Sequence, residues 1–374
     1  MNERLVQWTL LREWHYLQEC IQLPVLRRYV EQIPTEYGTP DFVLLRKDSA
    51  ALYVVELETA IDSWHKLEFV EDQLRRYRKI RFSLPATLVL LYAEDITPPS
   101  HRQSLAEICR KIGVESRTYS FSEVQHLYQH LVAELTRWIG IPLGPTCALD
   151  VCYLRWMNDL THLFIKHRKV ALPVSLFYNR DGTGYFRSRT TYNVRKRLCQ
   201  DFELLTEQEG SLVLTDYGKR FAEAMMPDIL VGIARIPPLS VEQRRILLEV
   251  LTNGRITPCK ANIYYFLRFV YLTEGVWIPH SNAPEPESLQ DSAYGYWQLA
   301  TALFGKRYAW RTLTDFLAFT CNQCEEIGLV ERVKLQGDSD RAILTPLGSR
   351  VLGLMEIDLH LKRERIHIPL QAVM

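Results

Sequence analysis

Residues 39–60 read TPDFVLLRKDSAALYVVELETA. Two β-rich apolar runs, FVLLR and ALYVVEL, are joined by the short polar segment KDSA, which predicts a β-hairpin. Asp41 precedes the first run, and Glu56 and Glu58 end the second. Side chains alternate along a strand, so Glu56 and Glu58 share one face while Val55 and Leu57 share the other. Asp41, at the start of the partner strand, approaches the same end. Three carboxylates held together repel one another unless a cation lies between them. Oxygen ligands of this kind suit Mg²⁺, and Mg²⁺ suits phosphodiester hydrolysis by activating water and neutralising charge. The plain alternative is a pair of exposed glutamates at a strand end.

Working outward, residues 4–22 carry Leu10, Trp14, Leu17 and Ile21 at helical spacing. After the hairpin, 64–81 is helical, with Leu67, Val70, Leu74 and Tyr77 along one stripe. The apolar run 86–93 is a strand, 100–112 a helix, VESRTYS a strand and 121–138 a helix. The order α, β-hairpin, α, β, α, β, α predicts an α/β domain with a mixed central sheet over residues 1–140. GIPLGP at 140–145 is a candidate linker.

Beyond the linker the pattern changes to helices with short paired strands. Residues 191–225 and 312–355 resemble each other: a helix, a polar hairpin, then Leu-Thr-x-x-Gly opening a last helix. Thr215 and Thr345 suit helix N-caps, where a hydroxyl accepts an orphan backbone N–H. Helix, β-wing, helix is the outline of a winged helix, so two mainly α modules are expected, over 147–230 and 238–360.

The chain has 374 residues, 47% of them hydrophobic and 24% charged, with a net charge of +1. No apolar stretch has the length of a membrane span, the first residues lack a signal-peptide core, and a cytoplasmic protein with reduced thiols is expected. The balance of charge is uneven: residues 1–140 hold 17 Lys/Arg and 19 Asp/Glu, whereas Lys166 to Arg197 holds nine basic residues and one acid, Asp181. Such a stretch is an electrostatic footprint for nucleic acid or simply a solvated face. Arg187, Arg189, Arg195, Lys196 and Arg197 surround the helix expected to enter a major groove. There Arg195 and Arg197 would read guanine and Asn193 would read adenine. Lys166, Arg168 and Lys169 would hold phosphates. The equivalent helix of the second module is poor in basic residues and suits packing. Cys321-Asn-Gln-Cys324 has no partner pair to complete a zinc site and reads as core thiols. There is no Walker loop or dinucleotide fingerprint, hence no expected nucleotide cofactor.

Pro40-Asp41, fourteen intervening residues, then Glu56-Leu57-Glu58 resembles the signature of the PD-(D/E)XK, restriction-endonuclease-like nucleases. The resemblance spans about residues 10–135. Gln73-Leu-Arg-Arg-Tyr77 on the following helix matches the Q-x-x-x-Y motif of RecB-like members, and Glu13 matches members with an upstream glutamate. The resemblance implies that Asp41, Glu56 and Glu58 hold Mg²⁺ (or Mn²⁺), with Glu58 near the water. Gln73 and Tyr77 would orient the metal shell or a DNA phosphate, and Glu13 (or Glu19) would contribute from the first helix. The family's final lysine is Glu58 here, as in some restriction enzymes and Shedu-like defence nucleases, and Lys66 would supply a migrated cation. Tyr77 also fits as core, and His15 and His65 as surface residues. Arg75, Arg76 and Arg78 fit either a phosphate contact or the solvated side of their helix. The function implied is a metal-dependent DNA endonuclease acting on double-stranded DNA. It would be a type II restriction or anti-phage enzyme, working as a homodimer so that two sites meet two strands. The alternative is a non-catalytic DNA-binding regulator or adaptor on a decayed nuclease domain.

Overall fold

The computed structural model describes the chain apart from residues 32–34, 49, 140–143, 147–150, 227–235, 254–255, 282, 288–291, 335–338 and 368–374. It divides into two compact units. The first comprises 1–142, 284–308 and 335–339, and the second comprises 143–283, 309–334 and 340–374. Residues 140–143 of the expected linker lie outside the described residues.

The first unit opens with α1 (Glu3–Arg12) and α2 (Trp14–Ile21). They form two helices rather than one, because Glu13 leaves the helical region with ψ 63°. Then follow β1 (Val25–Glu31), β2 (Phe42–Arg46), β3 (Leu52–Glu58), α3 (Trp64–Tyr77), β4 (Ala86–Ala93), α4 (Pro99–Ile112), β5 (Glu115–Tyr119) and α5 (Phe121–Ile139). The strands form one mixed sheet in the order β1-β2-β3-β4-β5. The pairs β1-β2 and β2-β3 are antiparallel, and β3-β4 and β4-β5 are parallel. β1 is absent from the sequence reading. Two central arginines hide its alternation, and a bulge between Val25 and Tyr29 breaks its register.

The sheet separates two cores. Phe42, Leu44, Val55, Leu57, Val89 and Leu91 pack on Val6, Leu10, Trp14 and Leu17 of the first two helices. Val43, Val54, Leu88 and Leu90 face Leu67, Val70 and Leu74 of α3 and Leu105 and Cys109 of α4. Each fully buried side chain of this size contributes about 1.5–3 kcal/mol. By strand alternation Glu56 and Glu58 continue the α3 face toward the far end of β3, opposite Leu90 and Tyr92 of β4.

The second unit has a 3-10 turn (Leu154–Met157), α6 (Asn158–His167), β6 (Ala171–Pro173), α7 (Val174–Phe177), α8 (Arg189–Asp201), β7 (Leu205–Gln208), β8 (Ser211–Leu214) and α9 (Asp216–Glu223). It continues with α10 (Val241–Thr252), α11 (Pro258–Leu272) and β9 (Val276–Pro279). After α12 (Ser292–Phe304) come α13 (Trp310–Glu326), β10 (Val330–Lys334), β11 (Ser339–Leu344) and α14 (Pro346–His367). Two three-stranded sheets, β6-β8-β7 and β10-β11-β9, repeat one layout. The repeat extends to single atoms. Thr215 caps α9 through Gly218 N at 3.0 Å, and Thr345 caps α14 through Gly348 N at 2.9 Å. A Cβ on Gly218 would stand 1.9 Å from Leu204 O, and one on Gly348 1.9 Å from Leu329 O. No side chain fits either place.

Two features revise the expected organisation. The two repeats belong to one unit, joined by buried polar contacts such as Lys260 Nζ to Glu203 Oε1 at 2.5 Å and Gln243 Nε2 to Asn158 Oδ1 at 2.7 Å. And α12, which falls within 238–360, belongs to the first unit, packed on α1 and α5. Its sequence, SAYGYWQLATALF, is apolar on most sides and does not specify which core it joins.

Candidate active site

The hairpin registers Phe42 opposite Val55, which sets Asp41 beside the end of β3. Asp41 Oδ2 accepts a hydrogen bond from Leu57 N at 2.8 Å, and its carbonyl accepts one from Gln7 Nε2 at 3.1 Å. Asp41, Glu56 and Glu58 are 8%, 4% and 3% exposed. They are therefore buried acids, and the reading of exposed strand-end glutamates does not hold.

Helix α3 leans its polar edge over them. Gln73 Nε2 donates to Glu56 Oε1 and, at 3.0 Å, to the Tyr77 hydroxyl. Lys66 Nζ lies 2.6 Å from Glu58 Oε2. Tyr77 is also buried in the core of the α3 face, so it serves both as packing and as the anchor of Gln73. Glu56 Oε2 and Gln73 Oε1 are buried without a hydrogen-bond partner.

The electrostatics follow from burial. Desolvation, then the Asp41 charge, raises the Glu3 carboxyl to about 7. Desolvation raises Asp41 to about 7 against the pull of the Leu57 N–H bond. Desolvation raises Glu58 to about 7, with Lys66 opposing it. Glu56 is pushed well above the usual carboxylate range by desolvation and by Asp41, Glu58 and Glu3.

Glu3, half-buried on the first turn of α1, is the acid that sequence reading missed. Glu13 is not the acid of the first helix that these carboxylates feel. It sits ten residues on, about 15 Å along the axis at 1.5 Å per residue, at the break between α1 and α2. The amphipathic pattern marks Glu3 only as polar, and nothing in that pattern shows that the first turn of α1 meets the end of β3. Glu19, His15 and His65 are exposed. A cavity of about 630 Å³, lined by Glu3, Arg4, Thr59, Asp62, Lys66 and Ile96 among others, opens beside the cluster. Among the described residues no three His, Cys, Asp or Glu side chains form a ready-made metal cage. The donor chemistry nevertheless fits a hard cation: the orphaned Glu56 Oε2 lies among acids whose charges oppose one another.

The basic stretch is only partly available to a partner. Lys166, Arg168, Lys169, Arg187, Arg189 and Asn193 are exposed. Arg195 is not: it is 9% exposed, with its guanidinium 3.8 Å from the Trp156 ring centroid and 3.5 Å from Asp159 Oδ2. Lys196 pairs with Glu207 at 2.9 Å, and Arg197 is half-buried. The helical period turns Arg195 inward beside Val194 and Leu198, so the expected base-reading trio is reduced to Asn193. Cys321 and Cys324 are buried free thiols on α13. Among the described residues no helix is long and apolar enough to cross a membrane.

No family model, no characterised protein and no solved structure matches the chain.

Proposed function

We propose that the chain is a divalent-cation-dependent nuclease that hydrolyses DNA phosphodiester bonds at the end of β2 and β3. The observation that carries this reading is the burial of Asp41, Glu56 and Glu58 together, with Gln73 on Glu56 and Lys66 on Glu58. Buried acids that repel one another lower the stability of the fold, and such conflicts persist where a ligand resolves them.

Asp41 and Glu56 would hold Mg²⁺, or Mn²⁺ in its place. When bound, the ion supplies Lewis acidity at the phosphate and acidifies a water molecule. Glu58, with a carboxyl raised to about 7, is matched to accepting that proton near neutral pH. Lys66, paired with Glu58, would hold it in place and supply the migrated cation that the family resemblance implies. Gln73 fixes one oxygen of Glu56 and leaves the other for the ion.

The helix, strand, helix, helix, strand, strand order of α6 to β8, with β6 beside β8, supports a winged-helix reading of the first repeat. Its exposed basic residues would hold DNA through phosphates, and cleavage of both strands would need a second copy of the chain. The test is digestion of duplex and single-stranded DNA with Mg²⁺, Mn²⁺ or EDTA. Cleavage is expected with either metal and not with EDTA, and is lost in Asp41→Ala and Glu56→Ala. Metal-independent cleavage, or full activity in both variants, contradicts the proposal. Salt-sensitive DNA binding without cleavage favours a non-catalytic adaptor.

A further inference from the structure

The loop between β1 and β2 carries Asp41 and also touches α3, the helix that engages Glu56. From Thr35 to Gly38 it forms a turn. Thr35 N donates to Gly38 O at 3.0 Å, and Gly38 N donates to Thr35 O at 3.3 Å. The Thr35 hydroxyl donates to Gly38 O at 2.6 Å and accepts from Tyr37 N at 3.2 Å. One side chain thus closes the turn twice.

Gly38 has φ +128°, a conformation that residues with a Cβ rarely adopt. It also lies against Tyr77, the last residue of α3. A Cβ on Gly38 would stand 2.7 Å from Tyr77 Cε1 and 3.5 Å from the Tyr77 hydroxyl. Tyr77 is 6% exposed and packed in the α3 core, so the ring has no free space to move into. The glycine lets the turn backbone lie directly on the ring.

From Tyr77 the contacts run on to an acid. Gln73 Nε2 donates to the Tyr77 hydroxyl at 3.0 Å and to Glu56 Oε1. An amide nitrogen has two N–H groups, and both are used here, so the hydroxyl fixes the angle at which the amide meets Glu56. In the other direction the turn continues through Thr39 and the buried Pro40 into Asp41, whose Oδ2 is held by Leu57 N at 2.8 Å. Two paths therefore leave one turn, and they end on Asp41 and Glu56.

We propose that the Thr35–Gly38 turn is a positioning element of the carboxylate site, setting Glu56 through Tyr77 and Gln73 while its own chain sets Asp41. This rests on the reading of the site as a cation site. A hard cation such as Mg²⁺ demands oxygen ligands at defined distances, so a turn that governs two of them governs affinity. Thr35 and Gly38 touch neither the ion nor the substrate and act only through the residues they hold.

The test is calorimetric titration of the full chain with Mn²⁺, with chemical denaturation run alongside to score folding. Gly38→Ala is expected to weaken Mn²⁺ binding by about tenfold, and Tyr77→Phe, which keeps the ring and removes the hydroxyl, by a similar factor. The double variant should bind no more than about twofold more weakly than the weaker single variant, because both changes cut the same path. Thr35→Ala should show a smaller loss that Thr35→Ser restores, and this pair carries the test if Gly38→Ala does not fold. Losses that multiply in the double variant overturn the path through Tyr77. Folded Gly38 and Thr35 variants that bind Mn²⁺ as the wild type does overturn the positioning role while leaving the cation site. No Mn²⁺ binding by the wild type overturns the cation site and this role with it. Wild-type binding with the expected losses but no cleavage of DNA leaves the turn's role and removes the nuclease.

Discussion

Lys260 in the second unit and Glu56 in the first are both buried, at 1% and 4% exposure, and their surroundings differ. The Lys260 ammonium meets Glu203 at 2.5 Å, so its charge is answered within the unit. Glu56 has one oxygen on Gln73 and the other on nothing, and its neighbours Asp41, Glu58 and Glu3 carry the same sign. A paired buried charge is compatible with a purely structural role. An unpaired one among like charges works against the fold that holds it. The difference separates a polar network that ties two repeats together from one that waits for a cation.

The largest expected effect is on activity. Asp41→Ala and Glu56→Ala should abolish metal-dependent cleavage while circular dichroism stays unchanged, whereas Lys260→Met should leave cleavage intact per folded molecule. Loss of cleavage in Lys260→Met with its fold retained would break the comparison. Next is Gln73→Ala, which removes the group that orients Glu56. It should lower metal affinity about 10–100-fold, read from the metal concentration at half-maximal cleavage.

Stability provides the following contrast. Gly218→Ala and Gly348→Ala force a Cβ against a carbonyl oxygen and should each cost about 3 kcal/mol in chemical denaturation, with similar values because the two positions are equivalent. Glu56→Gln acts in the other direction. It removes repulsion and should stabilise the metal-free chain by roughly 0.5–2 kcal/mol at neutral pH. If Glu56→Gln destabilises instead, the acids are structural.

The pH dependence sharpens this further. Glu3 and Glu58 move from the usual 4.5 to about 7, and Asp41 from 3.8 to about 7. Between those limits the folded chain binds more protons than the unfolded one, so stability falls as pH rises. Metal-free thermal stability should therefore decline from about pH 4.5 to about pH 7. The decline should shrink in Glu56→Gln and on adding Mg²⁺. Glu326 in the second unit is also raised to about 7 by burial and supplies a background slope that Mg²⁺ should not change.

The smallest expected effect concerns the basic stretch. Arg187→Ala should weaken DNA binding a few-fold and flatten its salt dependence, with stability unchanged. Arg195→Ala should leave DNA affinity alone and cost about 2 kcal/mol, since it strips Asp159 of a charged partner.

The hairpin and its acids were legible because strand alternation and a short polar turn are local properties, and β2 and β3 fall where FVLLR and ALYVVEL predict. The Leu-Thr-x-x-Gly repeat was legible for the same reason: a cap and a close approach fix residue types at fixed spacing. Glu3 and the inward turn of Arg195 were not legible in the same way. Glu3 depends on where α1 crosses the sheet, and Arg195 depends on Trp156 and Asp159, some forty residues earlier in the chain. The placement of α12 against α5 was hidden too, since an apolar helix fits either core.

The most direct test is calorimetric titration of the chain with Mn²⁺ near pH 6.5 in two buffers of different ionisation heat. Saturable binding with release of protons, lost in Glu56→Gln, is the expected result, because acids raised to about 7 must give up protons to hold a cation. Absence of saturable binding, or binding that Glu56→Gln leaves unchanged, would contradict a cation site at the end of β3.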